Sequence, residues 1–287
     1  MLMQTKLSPL DTYLTLSKAE LMRQARTLFN VKGSLLADPL SNPKIAKNAK
    51  ENGVLTFPLH LAPFKMSGYN TCASASKGCA EACLNTAGNP VYLKGKLAAR
   101  IAKTKMYFED RALFVAILIK EVVAASNKAS KANMALAFRL NATSDIKWEK
   151  SKLLHIGVMS SLLAILHAAA PMAKFYDYAK DHKRTSDTLP PYYSLTYSLS
   201  EENDISSSLV LSRGDNLAVV FDVKRGKPLP ARHTINGVSA MVIDGDLTDY
   251  RPDDVQGVIV GLRAKGEAIG STSGFVRSAI QSTFFKA

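Results

Sequence analysis

Cysteine is scarce in this chain of 287 residues: there are three, beside one tryptophan and five histidines. So few, and an odd number, exclude the disulfide framework that holds small secreted domains together. No apolar run approaches the roughly 18–20 uncharged residues that a membrane span needs. Nothing apolar follows the Met1–Lys6 start that would act as a secretory signal. The expectation is a cytoplasmic protein with no membrane partner. Phosphate-loop, G-x-S-x-G and dinucleotide glycine motifs are all missing, so NTPase and hydrolase readings have no support. The histidines (His60, His155, His167, His182, His233) are dispersed, without an HExxH-type pair. Only 21% of residues are charged and 47% are hydrophobic, which excludes a disordered tail or a fibre.

What is present is positive charge, unevenly spread. Lys plus Arg is 37 and Asp plus Glu is 24; residues 1–134 hold 19 and 8 of these, a net of +11, leaving 18 and 16, a net of +2, for residues 135–287. A half that basic attracts nucleic acid or nucleotides, or serves as a solubilising surface. In its densest stretch Lys94, Lys96, Arg100 and Lys103 stand near one another, and helical spacing puts Lys96, Arg100 and Lys103 on one face.

About seven apolar runs of strand length punctuate the chain: Val54–His60, Met134–Leu140, Lys174–Tyr178, Tyr192–Tyr197, Leu217–Val223, Ser239–Ile243 and Val258–Leu262. Helical periodicity covers Tyr92–Ser126 and Lys147–Ala170, and a short helix is expected near Ser206–Ser212. Continuous rather than alternating apolar strands are buried on both faces, which favours a parallel sheet. Each run ends in a polar cluster, as at the C-terminal mouth of a parallel α/β barrel. The expected fold is therefore an incomplete, TIM-like parallel (β/α) barrel over residues 54–287, with a doubly wound open sheet as the alternative. Residues 1–53 form an N-terminal helical arm and connector, with Ser17 and Glu20 as a capping box.

All three cysteines fall within twelve residues, Cys72, Cys79 and Cys83, in a loop over 71–88 rich in small and polar residues. With helix starting near Gly78, Cys79 and Cys83 share a face. Three readings stay open: a [4Fe–4S] cluster with one iron free for an outside ligand, a zinc site completed by His60 or His182, or unmetallated thiols. Other polar groups gather at strand ends. Arg139 and Asp145 bracket the second strand, as catalytic groups or as a buried ion pair. Ser198, Ser200 and Glu201 suit a ribose or carboxylate, or a turn and helix cap. Asp244, Asp246 and Asp249 suit magnesium or an amine, or a plain turn. Arg263 and Lys265 suit a phosphate, or cover the barrel rim.

A three-cysteine loop after the first strand of such a barrel resembles the radical S-adenosylmethionine superfamily. More narrowly, the stretches TCASASKGCAEACLNTAG, RLNATSD, KFYDYAK, YSLTYSLSE and DGDLTDYRPDDVQGVIVGLRAKG resemble the gene product eighty-eight family of phage and plasmid proteins, over Leu55 to Gly266. The superfamily resemblance implies that Cys72, Cys79 and Cys83 hold the cluster and that its open iron binds S-adenosylmethionine. An external electron donor would then drive cleavage to a 5′-deoxyadenosyl radical. Ser144 and Asp145 stand where the superfamily meets the cofactor's amino group, and Gly257 and Gly261 match the glycine-spaced strand it uses beside adenine. The cysteine spacing is wider than the superfamily's, Ala82 replaces its aromatic, and its Gly-Gly-Glu is missing. The function so implied is an iron–sulfur enzyme acting on a nucleic acid or nucleotide. The alternative is a non-enzymatic nucleic-acid-binding or host-takeover protein on the same barrel.

Overall fold

A computed structural model describes residues 7–41, 43–83, 94–186 and 188–280. In chain order it has α1 (Pro9–Leu14), α2 (Lys18–Phe29), α3 (Pro43–Asn52), β1 (Val54–Pro58), α4 (Lys77–Glu81), α5 (Lys94–Glu109), α6 (Arg111–Lys131) and β2 (Ala135–Arg139). There follow β3 (Lys152–His155), β4 (Val158–Ser161), α7 (Leu162–Ala169), β5 (Lys174–Ala179), α8 (His182–Ser186), β6 (Tyr193–Ser198), α9 (Asp204–Ser212) and β7 (Leu217–Phe221). The chain continues through β8 (Arg232–Ile235), β9 (Val238–Asp244), β10 (Ile259–Arg263) and β11 (Val276–Arg277).

The strands build a nine-stranded sheet in the order β1-β2-β5-β6-β7-β10-β9-β8, with β11 also against β7. Every pairing is parallel except β8 with β9. From β1 to β7 each parallel strand lies beside the one before it, with helix between them. Right-handed crossovers in that order keep the helices on one side, as in a barrel. The sheet nevertheless stays open. At one end it stops at the antiparallel hairpin β8–β9, and at the other β1 pairs with β2 alone. The expected incomplete, TIM-like barrel thus holds in its coarser part, a mixed α/β protein with a largely parallel sheet, while among the described residues that sheet does not close as a barrel.

Both faces of that sheet are covered, which explains the unbroken apolar runs. On the helix side, Leu55, Phe57, Leu136, Phe138 and Phe175 join one cluster with α6 and α7. Helix α6 is the centre of this layer: Leu113 to Leu118 are each fully buried. Asp110 starts it, accepting from the Leu113 N–H at 2.9 Å, and so breaks the single helix expected over Tyr92–Ser126 into α5 and α6. The N-terminal helices also pack here. Leu10 of α1 and Leu21 and Ala25 of α2 belong to the same cluster, and α2 carries the expected Ser17–Glu20 capping box. On the other face Val54, Ala137 and Tyr176 are covered by Tyr250, from the segment joining β9 to β10. That segment is pinned across the sheet by Arg139 to Asp249 and by Thr248 to Asn48 (3.3 Å).

The helix expected over Lys147–Ala170 is also corrected. Residues 152–161 form the hairpin β3–β4, and helix begins only at Leu162, capped by Ser161. Ile156 and Gly157 make the turn with φ of 49° and 71°, the pair of left-handed residues that a tight hairpin requires. Gly157 makes this turn possible; the surrounding leucines satisfy a helical period equally well.

Candidate ligand-binding cleft

After β1 the chain runs into the cysteine segment, which short hydrogen bonds tie to the exit of β2. The Thr71 hydroxyl donates to the Ala62 carbonyl at 2.7 Å, and the Asp145 N–H donates to the Thr71 carbonyl at 2.8 Å. Ser76 caps α4 by accepting from the Cys79 N–H at 3.2 Å. Cys79 lies on α4, but the helix ends at Glu81 and Cys83 lies past its cap, so the two do not share a helix face as expected. None of the three cysteines is in a disulfide; Cys72 is buried and the other two are half-buried. They line a single cleft of about 210 Å³, together with residues from the carboxyl ends of β2, β5, β6 and β10. Residues 84–88 of the expected loop lie outside the described residues.

The cleft floor is basic, but most of its cations are already matched. The Arg139 guanidinium holds both Asp249 oxygens (2.8 and 2.7 Å) and lies 4.8 Å from the Tyr178 ring centre. Burial opposes its charge, yet Asp249 keeps its pKa above the usual arginine value. Arg263 pairs with Asp244 (2.9 Å) and Asp246 (3.2 Å), and Lys265 with Asp246 (2.6 Å). The three carboxylates suited to magnesium or an amine are therefore all engaged by arginine or lysine. Lys180 differs. Its ammonium has no hydrogen bond or ion pair within 4 Å among the described residues. Burial acts against its charge, but Cys79, Asp145, Cys72 and Cys83 outweigh it and hold its pKa above the ordinary lysine value. The converse holds at Cys79, where burial raises the thiol pKa although Lys180 pulls it down.

Of the residues singled out in the sequence, Arg139, Ser144, Ser198 and Ser200 line this cleft with the cysteines, while Asp145 and Glu201 do not. Asp145 is buried beneath it, paired with Arg184 at 2.6 Å. Glu201 holds the Ser76 hydroxyl (2.8 Å) and the Gly78 N–H (2.6 Å). Gly257 and Gly261 also lie off the cleft. A Cβ on Gly261 would come within 2.7 Å of Val242 and 2.9 Å of Leu229, so this glycine lets neighbouring side chains close over β10. The expected basic face is divided. Lys94 and Lys96 are exposed, whereas Lys103 turns inward, donates to the Leu35 carbonyl at 2.9 Å and falls to a pKa of about 8 through burial. Arg100 is half-buried, and burial lowers its pKa although Cys83 favours its charge.

Sequence reasoning missed the polar assembly below the cleft. The Asn141 side-chain oxygen accepts from Ser144 Oγ (2.9 Å), Ile146 N (2.9 Å) and Trp148 Nε1 (3.1 Å). Asp177 on β5 accepts from the Asn141 N–H (2.6 Å) and the Tyr193 hydroxyl (3.1 Å). Arg184, fully buried, bridges Asp145, Glu149 (2.8 Å) and Tyr193 (3.2 Å). The signal available was a lone Asp inside the apolar run Lys174–Tyr178; its partners come from elements distant in sequence.

The model of the gene product 88 family matches residues 34–279. The chain belongs to that family. The match extends beyond the Leu55–Gly266 resemblance at both ends, taking in Leu35, Leu36 and β11. No curated protein and no solved structure matches the chain. Family membership thus stands, and the wider resemblance to the radical S-adenosylmethionine superfamily is not carried by any match.

The expected metal chemistry is corrected by the geometry of the side chains. Among the described residues, no three His, Cys, Asp or Glu groups are placed so that they could hold a metal ion. The three thiols share a cleft without forming such a group, which overturns the iron–sulfur, radical-enzyme and zinc readings alike. His60, proposed with His182 as an alternative fourth zinc ligand, is depressed to a pKa of about 3 by burial and by Arg100, Arg139 and Lys103. No described helix is long and apolar enough to cross a membrane, in keeping with the expected absence of a membrane-spanning segment.

Proposed function

We propose that this member of the gene product 88 family binds a nucleotide-class small molecule in the cleft at the carboxyl ends of its strands. The observation that carries this reading is Lys180. It places beside the thiols an ammonium without a hydrogen-bonding partner among the described residues, where Arg139, Arg263 and Lys265 are each paired with a carboxylate. An anionic group on the ligand supplies the missing partner, at the end of the sheet where open parallel α/β sheets take ligands. The rest of the cleft suits the remainder of such a molecule. Phe64, Leu199, Leu262 and Phe275 offer apolar surface, and Thr143, Ser144, Ser198 and Ser200 offer hydroxyls. A few placed polar groups on an apolar lining are the usual makeup of small-molecule sites.

Isothermal titration with a series running from adenosine to its mono-, di- and triphosphates tests the proposal, with S-adenosylmethionine as a nucleoside lacking phosphate. Affinity is expected to rise on adding phosphate. It should fall about tenfold or more in Lys180→Met, the cost of losing one charged hydrogen bond, and be largely kept in Lys180→Arg. Equal binding of nucleoside and nucleotide, or wild-type affinity in Lys180→Met, would reject it. Metal analysis of protein purified without oxygen accompanies the titration. Stoichiometric iron and sulfide there would show the thiols to be engaged in a way this reading does not allow.

A further inference from the structure

Glu201 closes a joint among three segments that lie far apart in the chain. On one side its carboxylate accepts from the Gly78 N–H (2.6 Å) and the Ser76 hydroxyl (2.8 Å), at the first turn of α4. The approach is so close that a Cβ on Gly78 would lie 2.7–2.8 Å from the carboxyl group. Any larger residue there would push the carboxylate off the helix. On the other side Gly274, at φ +91°, brings its backbone against Glu201, where a Cβ would stand 3.2 Å from the Glu201 Cβ. Arg277 fixes this loop from the same direction, donating to the Ser200 carbonyl at 2.7 Å and pairing with Asp204. Burial alone would favour the neutral acid, but the N–H groups of Glu201 and Gly78 and the Ser76 hydroxyl hold Glu201 below the usual carboxyl pKa.

Helix α4 has five residues, too few to persist without tertiary support. Cys79 sits on it and Cys83 lies just past its end. Where these two thiols stand is therefore decided by whatever holds α4 to the sheet, and Glu201 is the carboxylate that does so. We propose that Glu201 is a positioning residue, anchoring the cysteine helix at the rim of the cleft and thereby setting how far Cys79 and Cys83 are open to solutes. This assignment is independent of which ligand the cleft takes.

The test uses the full chain and iodoacetamide, with alkylation at each cysteine followed by mass spectrometry and Tm measured in parallel. In Glu201→Ala, Cys79 and Cys83 are expected to label roughly tenfold faster than in wild type, because loss of charge-assisted hydrogen bonds promotes local opening. Cys72, held by the Thr71 contacts, should change much less, and Tm should fall by less than about 5 °C. Glu201→Gln keeps an acceptor for the Gly78 N–H and should label at an intermediate rate. Gly78→Ala, which drives a methyl group into the carboxylate, should label fast with Glu201 intact. Wild-type rates in both Glu201→Ala and Gly78→Ala overturn the proposal. So does equal acceleration at all three cysteines in step with a collapse of Tm, which would make Glu201 merely structural. If Glu201→Ala does not fold, Gly78→Ala and Glu201→Gln decide by the same criteria.

Discussion

Asp177 gives the sharpest quantitative expectation. It is a fully buried carboxyl group on the central strand β5, and burial lifts its pKa from 3.8 to about 7 in spite of the Asn141 N–H, Arg184, Arg139 and the Tyr193 hydroxyl. Its pKa is higher folded than unfolded, so between about pH 4 and pH 7 the folded state binds the extra proton. Stability from this group is therefore present at low pH and lost as pH rises through 7. With those two values the loss between pH 5 and pH 8 comes to about 2.5 kcal/mol. His60 acts oppositely, since a histidine depressed to about 3 favours the folded state increasingly as pH rises towards 6.5. The wild-type profile alone thus mixes two opposed trends, and a variant is needed to separate them. Asp177→Asn keeps an oxygen for the Asn141 N–H and removes the titration. Urea unfolding of both proteins at pH 5, 6, 7 and 8 should show the wild-type advantage shrinking by about 2.5 kcal/mol across that range, whatever the constant offset. A difference that stays flat, or grows with pH, would refute the reasoning.

Two further outcomes concern the polar layer and the sheet. Arg184→Met leaves Asp145 and Glu149 without their buried cation and should cost about 3–5 kcal/mol in urea unfolding at pH 7, the usual penalty for breaking a buried ion pair; a loss below 1 kcal/mol would mean that water reaches those carboxylates. Gly261→Ala forces a methyl group against Val242 and Leu229 and should cost about 1–3 kcal/mol by overpacking. Titration should find its nucleotide affinity unchanged, because Gly261 does not line the cleft; a selective loss of affinity at wild-type Tm would place the glycine against the ligand after all.

The sequence by itself determined the parallel strands and the end at which the cleft lies. Val54–Pro58, Ala135–Arg139, Lys174–Ala179 and Leu217–Phe221 are legible because strands buried on both faces must be apolar throughout. The polar residues just beyond them, from Asn141 to Arg263, mark where the backbone leaves that shelter. The capping box at Ser17 and Glu20 and the clustering of Cys72, Cys79 and Cys83 are equally local signals. The tertiary structure alone decided what depends on distant residues meeting. Whether the sheet closes turns on which strand pairs with β1 and β8, and no local pattern encodes that. The 152–161 hairpin satisfies a helical period until Gly157 is given its left-handed turn. Asp145 looked like a cleft residue until Arg184, thirty-nine positions on, drew it into the interior, and Glu201 like a ligand contact until Gly78 arrived from the far side of the chain. Charged side chains go to whichever opposite charge the fold brings near, because an unpaired charge in the interior costs more than almost any packing term can return.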